Sequence, residues 1–293
     1  MTIDKYNMLE ERISAWGQSN DEITAIYMVG SRARADKSFD EFSDIDAVVF
    51  STNPPFYFQN DEWLRDIGEV WTSFLFQTAG GDPEKLVLFD QGLQVDFLFR
   101  HVSDFESLIQ SNKIPLGFQR GAKLLVDKTG KGQQLLPATT MAPNNPPINQ
   151  DAFIQVVNMF GFACLYVAKQ VLRGEMYIVN QRDKDCKQLL LQMIEWHAKA
   201  LHGASYDTWH AGKFINEWAD KEIIDHLKLS FGDYDPTNSW KALMASFELF
   251  SRLSSEVAHI YSYTYPVSLI SNIQAWLEEQ QASFELKAEK VAD

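Results

Sequence analysis

The spacing of apolar positions changes once along this chain, near residue 130. Before that point the apolar residues come in short runs, as strands do. After it they step by three and four, as on one face of a helix. Tyr6, Leu9, Ile13 and Trp16 predict an amphipathic helix at the start. Residues 24–29, 45–50 and 70–76 predict strands. Residues 86–99 predict a hairpin, two apolar runs around Asp90-Gln91-Gly92. In its second arm Leu93, Val95, Phe97 and Phe99 share one face, and Gln94, Asp96 and Leu98 share the other.

Pro137, Pro143, Pro146 and Pro147, set among Gly, Gln, Asn and Thr, predict a linker within 128–150. Beyond it Phe153, Val157, Phe160, Cys164, Val167 and Val171 form one helical face. Residues 189–201 and 240–260 predict two more helices, with Tyr265-Pro266 at the far boundary of the second. Residues 272–279 predict a last one, followed by a polar tail after Gln280 expected to fray. The fold class is therefore α+β: a mixed β-sheet domain with flanking helices over 1–135, a linker over 136–150, and a helical bundle over 151–293. A chain of 293 residues that is 45% hydrophobic can give each domain its own core.

Charge narrows the partners. The net charge is −14, and both halves are acidic. Nucleic acid binding needs a basic face, so it is disfavoured, whereas a small cationic partner is compatible. No run approaches the ~20 apolar residues of a membrane span, and charges within the first 16 residues leave no signal-peptide core. Two cysteines are too few for a disulfide framework or a zinc cluster. Cys164 reads as core, and Cys186, between Asp185 and Lys187, reads as exposed. The expected compartment is the cytoplasm.

The chemistry concentrates in YMVGSRARADKSFDEFSDIDAVVF, residues 27–50. A strand ends in Gly30-Ser31, and twelve residues later Asp44-Ile45-Asp46 opens the next strand. Carboxylates at i and i+2 of a strand point to one side, about 6–7 Å apart along the backbone. That suits a divalent metal already carrying phosphate oxygens, because Mg²⁺ takes one or two carboxylates plus substrate phosphates. Gly30 permits close backbone approach, and Ser31 adds a hydroxyl to an anion cradle. Asp96 is a third candidate, since a charge in an apolar strand is costly unless paired, metal-bound or at a cleft.

These residues resemble the active-site signature of the DNA polymerase β-like nucleotidyltransferases. With LQVDFLF (93–99), KLLVDKTG (123–130), LLLQMIEWH (189–197) and SWKALMASFELFSRLSSEVAHIYSYTYP (239–266), the chain resembles the aminoglycoside 6-adenylyltransferases over roughly residues 5 to 280. The resemblance implies transfer of AMP from ATP to a hydroxyl of an aminocyclitol antibiotic, streptomycin above all, with release of pyrophosphate; the alternatives are transfer to another small hydroxylated acceptor (a different aminoglycoside, a lincosamide or a metabolite) and a non-catalytic nucleotide-binding module. Asp44 and Asp46 would hold Mg²⁺, two ions in all, with Asp96 binding the second or serving as base. Gly30, Ser31 and Arg32 would meet the phosphates of ATP, while Arg34 reads as a solvated loop residue. Glu195, in an otherwise apolar helix, would accept a proton or bind a cationic group of the drug, and the guanidinium groups of streptomycin would be drawn to an acidic cleft between domains. His197, Tyr177, Trp209 and Trp218 read as structural. The protein would act as a monomer or a homodimer.

Overall fold

The structure, a computed structural model, describes residues 2–292 except 35, 38, 79 and 141–146, with side chains from 5 to 286. The chain forms two compact units, Met1–Pro143 and Asn144–Asp293. Pro143 and Pro146 of the expected linker lie outside the described residues.

The first unit is a six-stranded mixed sheet. Its strands are β1 (Ile23–Val29), β2 (Ile45–Ser51), β3 (Val70–Gln77), β4 (Pro83–Phe89), β5 (Leu93–His101) and β6 (Lys123–Asp127). They lie in the order β3-β4-β5-β2-β1-β6, and only β2 and β5 are parallel. The flanking helices are α1 (Thr2–Ser19), α2 (Pro54–Gln59) and α3 (Val102–Ser111).

Alternation along the strands splits the core into two layers. On one face Ile26, Met28, Ala47, Val49, Val95, Phe97 and Phe99 pack against Tyr6, Leu9, Ile13 and Trp16 of α1. On the other, Tyr27, Val48 and Phe50 pack against Phe105 of α3 and Phe118. The β4–β5 connection turns through Gln91 and Gly92, both at positive φ.

The strand expected over 70–76 is β3; it is an edge strand on which Trp71, Phe74, Leu75 and Phe76 are exposed, and apolar composition does not by itself decide burial. β6 was not expected as a strand. It pairs with β1 and ends at Asp127, whose carboxylate accepts from the N–H groups of Thr129, Gly130 and Gly132 at 2.9, 3.0 and 2.8 Å. Burial pushes Asp127 up, and the Thr129 hydroxyl, donating at 2.8 Å, together with these N–H bonds outweighs it, leaving the acid below its ordinary range. KLLVDKTG is thus a strand followed by a carboxylate-capped turn.

The second unit is a bundle of α4 (Gln150–Leu172), α5 (Met176–His202), α6 (Ile215–Trp218), α7 (Lys221–Leu229), α8 (Pro236–Tyr261) and α9 (Val267–Ala292). The predicted α4 stripe is buried in its core with Leu190, Ile194, Leu243 and Phe250. Asn149 caps α4 by accepting from the Ala152 N–H at 2.8 Å, and Asp235 caps α8 the same way from Asn238 at 2.9 Å. By length and composition α4 could cross a membrane, which corrects the expectation that no segment is apolar enough. α5 begins well before its apolar run, helped by Lys187–Asp183 at 2.7 Å, one turn apart. The tail after Gln280 is helical rather than frayed, because Phe284 stacks on Trp240 with ring centroids 5.9 Å apart. Cys186 is buried rather than exposed, and its thiol meets that of Cys164. Tyr177 is 70% exposed rather than core.

Candidate active site

Gly30 follows β1 at φ +71°, and a Cβ built on it would stand 1.9 Å from Asp46 Oδ2. Only glycine leaves room for that carboxylate. Asp46 is thus one reason for the glycine. Among the described residues the Ser31 hydroxyl, in the turn Gly30–Arg32, is buried without a hydrogen-bond partner, which costs free energy until a ligand meets it.

The loop from this turn to β2 is braced from below. Arg32 is 7% exposed. Its guanidinium lies 4.6 Å from the Tyr6 ring centroid and 4.5 Å from that of Phe39, and it donates to the Ser43 carbonyl at 3.1 Å. These contacts hold the residue just before Asp44. Asp40 shapes the same stretch, accepting from the Phe42 N–H and the Ser43 hydroxyl, each at 3.0 Å. Arg34 departs from expectation: its side chain is largely buried and lies 4.0 Å from Asp36, with Arg120 3.7 Å from the same acid.

The parallel pairing of β2 and β5 puts Asp46 directly beside Asp96. Asp44, just before β2, completes the group: one carboxylate oxygen from each of the three lies within 4.8 Å of the others. All three are half-buried. Burial pushes Asp96 up, and the charge of Asp44 adds to it, against a hydrogen bond from Gln94 at 3.2 Å. Three acids so placed repel one another, and a divalent cation is what relieves them. The donor set, all carboxylate oxygen, fits Mg²⁺. Glu84 of β4 also lies within electrostatic reach of Asp96, and burial, then that charge, raise it. It was overlooked in the sequence because it lies two residues before the predicted hairpin; in β4 it shares a face with Leu86, which pairs with Asp96.

In the helical unit Glu195 lines a cavity of about 520 Å³ with Asn149, Gln192, Trp196, Lys199 and His210. Burial raises Glu195, and Lys199 one turn on pulls it back. Lys199 was likewise overlooked; its i+4 spacing from Glu195 is the signal. His197 is buried, as expected, and bonds to Glu256 at 2.6 Å.

Comparison with known proteins bears on this arrangement. The family model for streptomycin adenylyltransferase matches residues 4–280. The chain is 24% identical over 257 residues to an aminoglycoside 6-adenylyltransferase of Bacillus subtilis (strain 168), covering 84% of this chain and 88% of that one. It is 23% identical over 274 residues to one of Staphylococcus aureus, covering 87% and 91%. A crystal structure of an aminoglycoside 6-adenyltransferase from Bacillus subtilis aligns over 94% of this chain and 97% of that one, at 18% identity and a TM-score of 0.43. A match spanning both units, on a chain with the Gly-Ser turn and paired aspartates of the superfamily, assigns the protein: it is a nucleotidyltransferase belonging to the streptomycin adenylyltransferase family, the aminoglycoside 6-adenylyltransferases.

Proposed function

We propose that this protein transfers AMP from ATP to a hydroxyl of an aminoglycoside, streptomycin foremost, and releases pyrophosphate. The observation that carries the reading is the carboxylate group of Asp44, Asp46 and Asp96, brought within 4.8 Å by the β2–β5 register. In this reading all three hold Mg²⁺, which when bound neutralises triphosphate charge and stabilises the entering and leaving oxygens. Ser31 donates its unpartnered hydroxyl to a phosphate, and Gly30 keeps the backbone clear of Asp46. Arg32 serves the nucleotide indirectly, by fixing the loop that carries Asp44.

The sheet unit is then the nucleotide-binding domain and the helical unit the acceptor-binding domain, joined by the linker over 136–150. Glu195 is the acceptor-side carboxylate. It binds a guanidinium of the drug or accepts the hydroxyl proton, and Trp196 offers an apolar wall for a ring. A net charge of −14 favours encounter with a cationic drug, and ATP as donor places the reaction in the cytoplasm.

The test is pyrophosphate release from Mg²⁺-ATP with streptomycin, spectinomycin, kanamycin, a lincosamide or no acceptor. Release with streptomycin, together with a drug–AMP adduct by mass spectrometry, is the expected result. Metal-dependent ATP binding without transfer to any of them would overturn the acceptor assignment.

A further inference from the structure

The helical unit contains a buried cation that the reaction as proposed does not use. Lys199 is 9% exposed and lines the same cavity as Glu195. Among the described residues its ammonium takes part in no hydrogen bond or ion pair; its interaction is electrostatic, with Glu195. The two residues stand one turn apart on α5, so they share a face. A lysine here is hard to reconcile with a cationic drug if its charge is free, because it would repel the very group Glu195 is placed to bind. The conflict disappears if that charge is directed at Glu195. A half-buried carboxylate with no opposite charge takes up a proton and loses its hold on cations.

The other groups around Glu195 do not supply that charge. The α4 side of the cavity, with Asn149 and Ala152, carries none, and Gln188 and Gln192 of α5 are neutral. The chain after α5 contributes His210 to the lining, but the charge that acts on Glu195 is that of Lys199. From α8, Glu256 is engaged by His197 and Arg252.

We propose that Lys199 is a positioning residue for Glu195: its ammonium keeps that carboxylate an anion facing the cavity, so that the acceptor meets a negative charge. This rests on the reading of Glu195 as the acceptor-side residue.

The experiment titrates Glu195 in the full chain without substrate. The infrared band of a protonated carboxyl group is followed against pH, with Glu195→Gln subtracted to isolate this residue. In Lys199→Met the midpoint is expected to rise by about one pH unit, and in Lys199→Arg to stay near that of the unaltered protein. The activity of Lys199→Met with streptomycin should then fall about tenfold at the acidic end of the profile and recover as pH rises, with the KM for ATP unchanged. A midpoint that does not move overturns the proposal. So does a raised KM for ATP with an unmoved midpoint, which would assign Lys199 to the nucleotide phosphates. A midpoint that rises in a protein that adenylylates no aminoglycoside upholds the role of Lys199 and refutes the acceptor reading instead.

Discussion

Asp96 and Glu195 are both acids set in apolar elements, one on a central strand and one on a bundle helix. Burial raises both. Their neighbours differ in sign: Asp96 faces Asp44 and Asp46, whereas Glu195 has Lys199 one turn away. The first site gathers three like charges, an arrangement that favours a cation from solution. The second contains its own counter-charge. The same cost of burial thus has two solutions, a site built to take a cation and a site built to present an anion.

Breaking the first site should have the larger effect. Asp46→Asn is expected to lower turnover by about 10³ or more, since the charge it loses is one the transition state needs. Its thermal midpoint without metal should be unchanged or higher, because repulsion is relieved. Turnover within tenfold of normal would sink the metal-site reading. Glu195→Gln should cost about 10² in kcat/KM for the acceptor, with Mg²⁺-ATP binding by calorimetry retained. Equal loss of ATP binding would remove Glu195 from the acceptor side.

Two smaller effects sharpen the contrast. Gly30→Ala places a methyl at positive φ against Asp46 Oδ2. The backbone alone contributes a loss of about 1–2 kcal/mol, measurable by denaturant unfolding, and Mg²⁺-ATP binding should weaken with it. Asp96→Asn tests the sign of the burial effect. Folded Asp96 keeps its proton to a higher pH than when unfolded, so between those two values the native state binds more protons and stability falls as pH rises. The variant escapes that loss. Without metal its thermal midpoint should exceed that of the unaltered protein near neutral pH, and the difference should vanish below about pH 4. A constant difference across the range would mean that the gain is not electrostatic.

Much of this was legible because it is local. Short apolar runs located β1, β2 and the β4–β5 hairpin, three- and four-residue steps located α4, an apolar stretch ending at Tyr265-Pro266 located α8, and Asp44-Ile45-Asp46 announced itself within three residues. The misreadings have one cause, which is that exposure depends on neighbours from elsewhere in the chain. The flanking charges of Cys186 suggested solvent, yet its helix turns it toward Cys164. Tyr177 read as structural, yet it is 70% exposed. Arg34 read as a solvated loop residue, yet its side chain is largely buried beside Asp36.

What the sequence determined by itself was the class of elements and the residue types on each face, since backbone periodicity dictates which side chains point together. It also contained three aspartates suited to a metal. Only the tertiary structure decided that they meet, because Asp46 and Asp96 are fifty residues apart and the parallel register of β2 on β5 alone makes them neighbours. Likewise it alone brought Asn149 and His210, from outside α5, to line one cavity with Glu195 and Lys199.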